Sequence, residues 1–264
     1  MKHIRTIIDK EWSEMFRNRM VILSMSLMPM LLAIMPLVML RATAGQAGFE
    51  MEGAASGVPE NFLAFCTGMN ASECMQIFMV NQFLIMFMLM PLMIPITIAA
   101  YSIVGEKTTR SLEPLLATPL TITELLTGKA LAAVIPAALV TYGSFSLFSL
   151  GLVVLRISPK VIAYILGPTW LTGILVLGPI LSVIAVMFAV IVSSRVNDPR
   201  VAEQISAVMI IPLMSVLVMQ LIGTVVINMN FMLTAIAVSA LLAVGAIYLG
   251  ASIFQRETIL TRWK

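Results

Sequence analysis

The sequence predicts an all-α membrane protein: six transmembrane helices, an amphipathic interfacial helix before them, and a short helix in the polar loop between spans two and three. Three observations carry this prediction. Of 264 residues, 60% are hydrophobic and 11% charged, where a soluble domain carries about 25% charged residues. Five stretches lack Asp, Glu, Lys, Arg and His: 20–40, 74–105, 130–155, 161–194 and 204–255. Each reaches the roughly 20 apolar residues that cross a hydrocarbon core as a helix. The last, with 52 residues, is long enough for two crossings, and Asn228-Met229-Asn230 offers a turn in its middle. Third, six crossings sort the basic residues: 13 of the 16 fall on the side holding both termini and the islands 103–129 and 193–203, and only Arg41, Arg156 and Lys160 on the other. Basic residues stay preferentially on the cytoplasmic side, so both termini are expected there, in the cell membrane. The net charge of +3 is thus a topology signal and gives no support to nucleic-acid binding.

Residues 1–19 precede the spans and carry Ile4, Ile7, Ile8, Trp12, Met15 and Phe16 at helical spacing, one apolar stripe. Arg5 with Asp9 and Lys10 with Glu14 are opposite charges four residues apart, which supports a helix modestly. A basic amphipathic helix with Trp on its apolar face lies in the headgroup region, as a simple anchor or as a lever touching a cytoplasmic partner. Ala42-Thr43-Ala44 has the small residues of a cleavage site, but the apolar run before it has 21 residues, beyond the roughly 7–15 of a signal peptide.

Residues 41–73 form a Gly-rich, acidic segment with Glu50, Glu52, Glu60 and Glu73. Cys66 and Cys74, the two cysteines of the chain, form a disulfide in an oxidising compartment or remain separate thiols. The spans are expected at about 20–40, 77–101, 130–155, 169–192, 205–227 and 231–252, within a transmembrane domain of 20–255 and ahead of a cytoplasmic tail, 256–264. Pro91, Pro95, Gly167-Pro168, Gly178-Pro179 and Pro212 interrupt them, as membrane helices tolerate where neighbours satisfy the freed backbone groups. The fourth apolar stretch exceeds one crossing, so 161–167 is expected as an interfacial or re-entrant piece.

No ionisable group is placed inside the spans, which disfavours a proton relay or an intramembrane hydrolase. Asn81, Gln82, Tyr142 and Gln220 are the largest polar groups there, and are read as interhelical bonding groups. There is no metal-ligand cluster, no Ser/His pair, no HExxH and no GxxxxGK[ST]. Around Gly128-Lys129, Thr123 stands where that nucleotide motif needs its first Gly and Ala130 where it needs Ser or Thr. Catalytic, cofactor and metal sites are accordingly expected to be absent from this chain.

The island IVGEKTTRSLEPLLATPLTITELLTGK, residues 103–129, repays closer reading. Glu106, Lys107 and Arg110 bring the chain into water. Leu112, Leu115 and Leu116 have the i, i+3, i+4 spacing of one helical face. Pro114 suits a first helical turn and Pro119 stops the helix. Thr121 and Glu124 then have capping-box spacing for the next span.

This order closely resembles the loop after the second span in permeases of type-2 ATP-binding-cassette exporters. The matching positions are Glu106, Leu112, Glu113, Leu115, Leu116, Pro119, Gly128 and Lys129; Arg110-Ser111 departs from the Gly-Thr that often precedes Leu-Glu there. The layout of an amphipathic helix followed by six spans is similar too. The resemblance implies a permease subunit forming the translocation pathway and paired with a second copy or a paralogue. It also implies a separate cytoplasmic ATPase that binds ATP and Mg and docks on the short coupling helix and the N-terminal helix. Glu106, Arg110, Leu112, Glu113, Pro114, Leu115, Leu116, Pro119, Gly128 and Lys129 are then the coupling residues, and Ile4, Ile8, Trp12, Met15 and Phe16 the interfacial ones. The rival readings are an ATP-independent channel or facilitator and a membrane enzyme or assembly factor. The transported compound is not legible.

Overall fold

The computed structural model describes residues 2–17, 19–44, 59, 62, 69–108 and 121–253. Among them there is no strand, and six helices are long and apolar enough to cross a membrane. The short helix expected between spans two and three falls on 109–120, outside the described residues.

An amphipathic helix, α1 (Lys2–Arg17), leads into span 1, α2 (Arg19–Ala44). Span 2 is built from α3 (Ala71–Phe87) and α4 (Met90–Thr108). The step between them sits just before Pro91, which has no N–H to offer and whose ring would collide with the carbonyl four residues earlier. Span 3, α5 (Ile122–Val154), runs unbroken for 33 residues. Its start follows the predicted capping box: Thr121 Oγ1 accepts from the Glu124 N–H at 3.2 Å, and Glu124 Oε2 accepts from the Thr121 N–H at 3.0 Å.

Span 4 is segmented. The helix α6 (Pro159–Ile165) ends at Gly167, α7 (Pro168–Thr172) restarts the chain, a π-helical turn covers Gly173–Leu177, and α8 (Gly178–Arg195) completes the crossing. The cause is local, because each restart lies at a Gly-Pro pair and Pro179 removes a donor from the ladder. The Gly178 N–H reaches back five residues to the Gly173 carbonyl, the bond of a π-bulge. Span 5 follows as α9 (Pro199–Ser206), a 3₁₀ turn and α10 (Ile210–Leu221). Gly223 adopts φ 82° in the turn after it, a conformation that favours glycine. Span 6, α11 (Met229–Ile253), starts where Asn228 Oδ1 accepts from the Phe231 N–H at 2.8 Å.

Span 2 is the central element, buried along nearly its whole length and packed chiefly on α8. Towards the end of the bundle that holds Glu73, Phe87, Phe145, Phe148 and Trp170 cluster, with Trp170 stacked against Phe145 at 6.0 Å and Phe148 at 6.1 Å. Beyond them Glu73 accepts from the Ser158 hydroxyl at 2.7 Å and lies 3.4 Å from Lys160, tying span 2 to the loop before α6. Cys74, the next residue, is disulfide-bonded, and Cys66 lies outside the described residues. Spans 1, 3, 5 and 6 keep rows of exposed apolar side chains, among them Leu31, Leu150, Ile211 and Leu241, as a surface in contact with hydrocarbon requires.

Candidate functional site

The helix ends on either side of residues 109–120 are anchored in charge. The upstream root is the end of α4, where Glu106 and Lys107 point in different directions. The downstream root is the start of α5, where Gly128 and Lys129 sit two turns in from the cap. The sequence places these four residues around the loop; folding brings α1 across them.

α1 lies on the first half of α5. Its docked centre is Ile7, Glu11 and Met15, at i, i+4, i+8, all buried, with Ile4, Ile8 and Trp12 half-buried beside them. The expected stripe is therefore rotated by about one residue. Phe16 lies outside the docked face, 63% exposed. A carboxylate occupies the middle of the face because a lysine waits opposite: Glu11 Oε1 is 2.7 Å from Lys129 Nζ. Gly128 permits the approach, since a Cβ there would stand 2.9 Å from Ile7 Cγ2 and 3.0 Å from Ile7 Cβ. One turn further on, the Trp12 indole N–H donates to the Ala132 carbonyl at 3.0 Å.

The charges continue into span 2. Lys129 Nζ is also 2.8 Å from Glu106 Oε2 and donates to Ser102 Oγ at 2.7 Å. Lys10 donates to Glu106 Oε1 and lies 3.6 Å from Glu14. Glu11, Glu106 and Lys129 are each about 5% exposed, so two acids and two bases form a neutral cluster largely removed from water. Desolvation pushes the Glu11 carboxyl upward, but Lys129, the Ser102 hydroxyl and Lys10 outweigh it and hold it below its ordinary value. Desolvation likewise opposes charge on Lys10, while the hydrogen bond and attraction of Glu106, with Glu11 and Glu14, raise it above the usual lysine value.

Such a cluster adds little net stability over apolar packing, because removing ions from water offsets their attraction. Breaking it is costly, since the remaining charge is left buried, and so the cluster specifies where α1 sits. Lys107 anchors the same root elsewhere: its ammonium donates to the carbonyls of Ser194 and Val196, each at 3.3 Å, at the C-terminal end of α8, where a cation suits unsatisfied carbonyls. One dipeptide, Glu106-Lys107, thus joins the loop to the N-terminal helix and to span 4.

Of the coupling residues read from the sequence, Glu106, Gly128 and Lys129 come together beneath α1. Arg110, Leu112, Glu113, Pro114, Leu115, Leu116 and Pro119 lie outside the described residues. Sequence reading missed Glu11, whose signal was an acid flanked by Ile7 and Met15 on an otherwise apolar arc. It also missed Glu203. The spans were expected to hold no ionisable group, yet Glu203 sits inside the fifth long helix, Pro199–Leu221, and accepts from the Thr97 hydroxyl at 2.5 Å. Ala202 and Ser206, fully buried beside it, turn that face of α9 into the bundle. Tyr142 makes an interhelical bond, a long one of 3.4 Å to the Leu175 carbonyl. The amides of Asn81, Gln82 and Gln220 have no hydrogen-bond partner among the described residues, which corrects their reading as bonding groups between helices.

Comparison with curated proteins yields no match. The sequence pattern of one family, described as ABC-2 family transporter protein, matches residues 5–237, from α1 into span 6. With nearly all of α1, the helix ends flanking residues 109–120, the first five spans and the start of the sixth inside that match, the chain belongs to the ABC-2 transporter family as a multi-pass membrane permease.

Proposed function

We propose that this permease is driven by a separate cytoplasmic ATPase, which docks on residues 109–120, and that it exports its cargo through a pathway formed with a second copy or a paralogue. The observation that carries the reading is the anchoring of both loop roots to α1, Glu106 by pairing with Lys10 and Lys129 by pairing with Glu11. A partner that moves the loop moves α1 and, through Lys107, the end of span 4. Glu106 and Lys129 act in this scheme by transmission, since they are buried, and the leucines Leu112, Leu115 and Leu116 meet the ATPase. ATP and Mg are bound by that partner, whose closure shifts the permease between inward- and outward-facing states by differential affinity. Both termini are cytoplasmic, in the cell membrane, as the split of basic residues favours. Glu113 and Arg110 supply charge at the docking surface, and Pro114 and Pro119 delimit its helix.

Co-purification with the ATPase tests this. Asp at Leu115 or Leu116 buries an unpaired charge on docking, costing ~2 kcal/mol or more, a factor of about 30 in association. Membrane insertion should survive while ATPase recovery and ATP-dependent transport fall together, and Thr118→Ala should leave both intact. Wild-type recovery of the ATPase by both Asp variants, or transport by the chain without any ATPase, overturns the proposal.

A further inference from the structure

A cavity of 270 Å³ opens between span 1, span 2 and α9, lined by Met25, Met28, Met90 and Met93 among other apolar groups, with Thr97 and Glu203 as its polar lining. Its size sits just under the roughly 300–1,000 Å³ of typical small-molecule pockets. The Leu27, Met28 and Leu31 side chains at its rim are exposed, so the mouth lies on the apolar surface of the bundle. Thr97 is nine residues inward from Glu106 on α4, about 13 Å along the helix. The carboxylate is therefore held well inside the end of the span.

We propose that this cavity binds a hydrophobic monovalent cation, a quaternary or protonated amine or a phosphonium with apolar substituents, as the cargo class of the permease. The proposal rests on the permease reading and adds its substrate chemistry. Among the described residues Glu203 forms no ion pair, and its hydrogen-bond partner there, the Thr97 hydroxyl, supplies a single proton. A carboxylate drawn into an apolar cavity needs a counter-charge. A metal cation requires several oxygen ligands, and the lining offers only the Thr97 and Glu203 side-chain oxygens. A bulky organic cation carries a thin hydration shell and needs only one charge contact. Its apolar body fits thioether side chains, which are polarizable, adapt their shape and serve promiscuous binding surfaces. An anion would face the Glu203 carboxylate, and a neutral acyl chain would leave it unpaired.

Equilibrium dialysis of tetraphenylphosphonium against the purified full chain in detergent, with empty micelles subtracted, tests the proposal. Saturable binding is expected, weakened about tenfold or more by Glu203→Gln, the loss typical of a charged contact. Neutral triphenylphosphine oxide should bind weakly and equally to both proteins. Met93→Trp fills the cavity while keeping the carboxylate, and should abolish phosphonium binding in a monodisperse protein; it decides the question if Glu203→Gln does not fold. Absent saturable binding, equal affinity for the cation and the neutral oxide, or unchanged binding by either variant overturns the proposal. The readout needs no ATPase, so it fails or succeeds independently of the docking of residues 109–120.

Discussion

Glu11 of the N-terminal helix and Lys129 of the third span, 118 residues apart in sequence, meet at 2.7 Å with both side chains buried. Lys129 is at the same time 2.8 Å from Glu106, so one ammonium holds three segments in register. A helix that only floated among lipid headgroups would have no use for a buried acid on its docked face. The pairing makes α1 an integral part of the bundle, joined directly to the roots of the loop.

Removing one charge should therefore cost far more than removing two. Glu11→Gln or Lys129→Met alone leaves the buried cluster with one uncompensated charge, a loss on the order of 3–5 kcal/mol. The Glu11→Gln/Lys129→Met double variant should recover part of that loss, although Glu106 then relies on Lys10. Thermal unfolding of the four proteins in a double-mutant cycle measures the coupling. Additive losses would show that the two side chains do not interact.

Contact between Gly128 and Ile7 predicts a second coupling. Gly128→Ala forces a methyl to within 2.9 Å of Ile7 Cγ2 and 3.0 Å of its Cβ; the Cβ cannot rotate away, so α1 must shift, at a cost of about 1–3 kcal/mol. Ile7→Ala is destabilising by itself but should relieve Gly128→Ala. Crosslinking between cysteines placed on α1 and α5 reports the displacement, and undiminished crosslinking in Gly128→Ala would count against the close approach.

Acid should release α1. Against desolvation, Lys129, Ser102 and Lys10 hold the folded-state Glu11 carboxyl below its ordinary value of 4.5, so folding favours its charged form. Its contribution is complete above that value and disappears as pH falls through the lower, folded one. Lys10, raised above 10.5, contributes fully below that value and loses its contribution as pH climbs through the higher folded one. A nitroxide attached at exposed Ser13 should remain immobilised between these limits and gain mobility in acid. Glu11→Gln should be mobile already at neutral pH.

Topology supplies another test, since 13 of 16 basic residues share one side. In intact cells a membrane-impermeant thiol reagent should label Cys66 after mild reduction. A cysteine introduced at Ser111, in a background lacking the native pair, should react only after lysis. The reverse pattern would invert the orientation.

Much of the fold was legible residue by residue. The thickness of hydrocarbon demands long apolar runs, and those runs anticipated the six helices long and apolar enough to cross a membrane among the described residues. Thr121 and Glu124 announced the start of span 3, because a capping box is closed within four residues, and the Gly-Pro pairs announced the breaks in span 4, because proline acts on its own helical turn. The amphipathic character of α1 was equally local. Its docked face was not: Phe16 shares the i+4 spacing of Ile8 and Trp12, yet the centre of contact moved to Ile7, Glu11 and Met15. The position of Lys129 on another helix chose the angle.

The same limit hid both acids that matter inside the bundle. Apolar run length, helical period and capping spacing are properties of one segment, so the six long apolar helices, the cap of span 3 and the apolar face of α1 could be read without any partner. Whether Glu11 or Glu203 is solvated, paired or buried depends on groups 118 and 106 residues away. The cost of burying a charge is set by the counter-charge or donor that packing brings within hydrogen-bond reach, and it is the folding of distant segments together that puts Lys129 and Thr97 there.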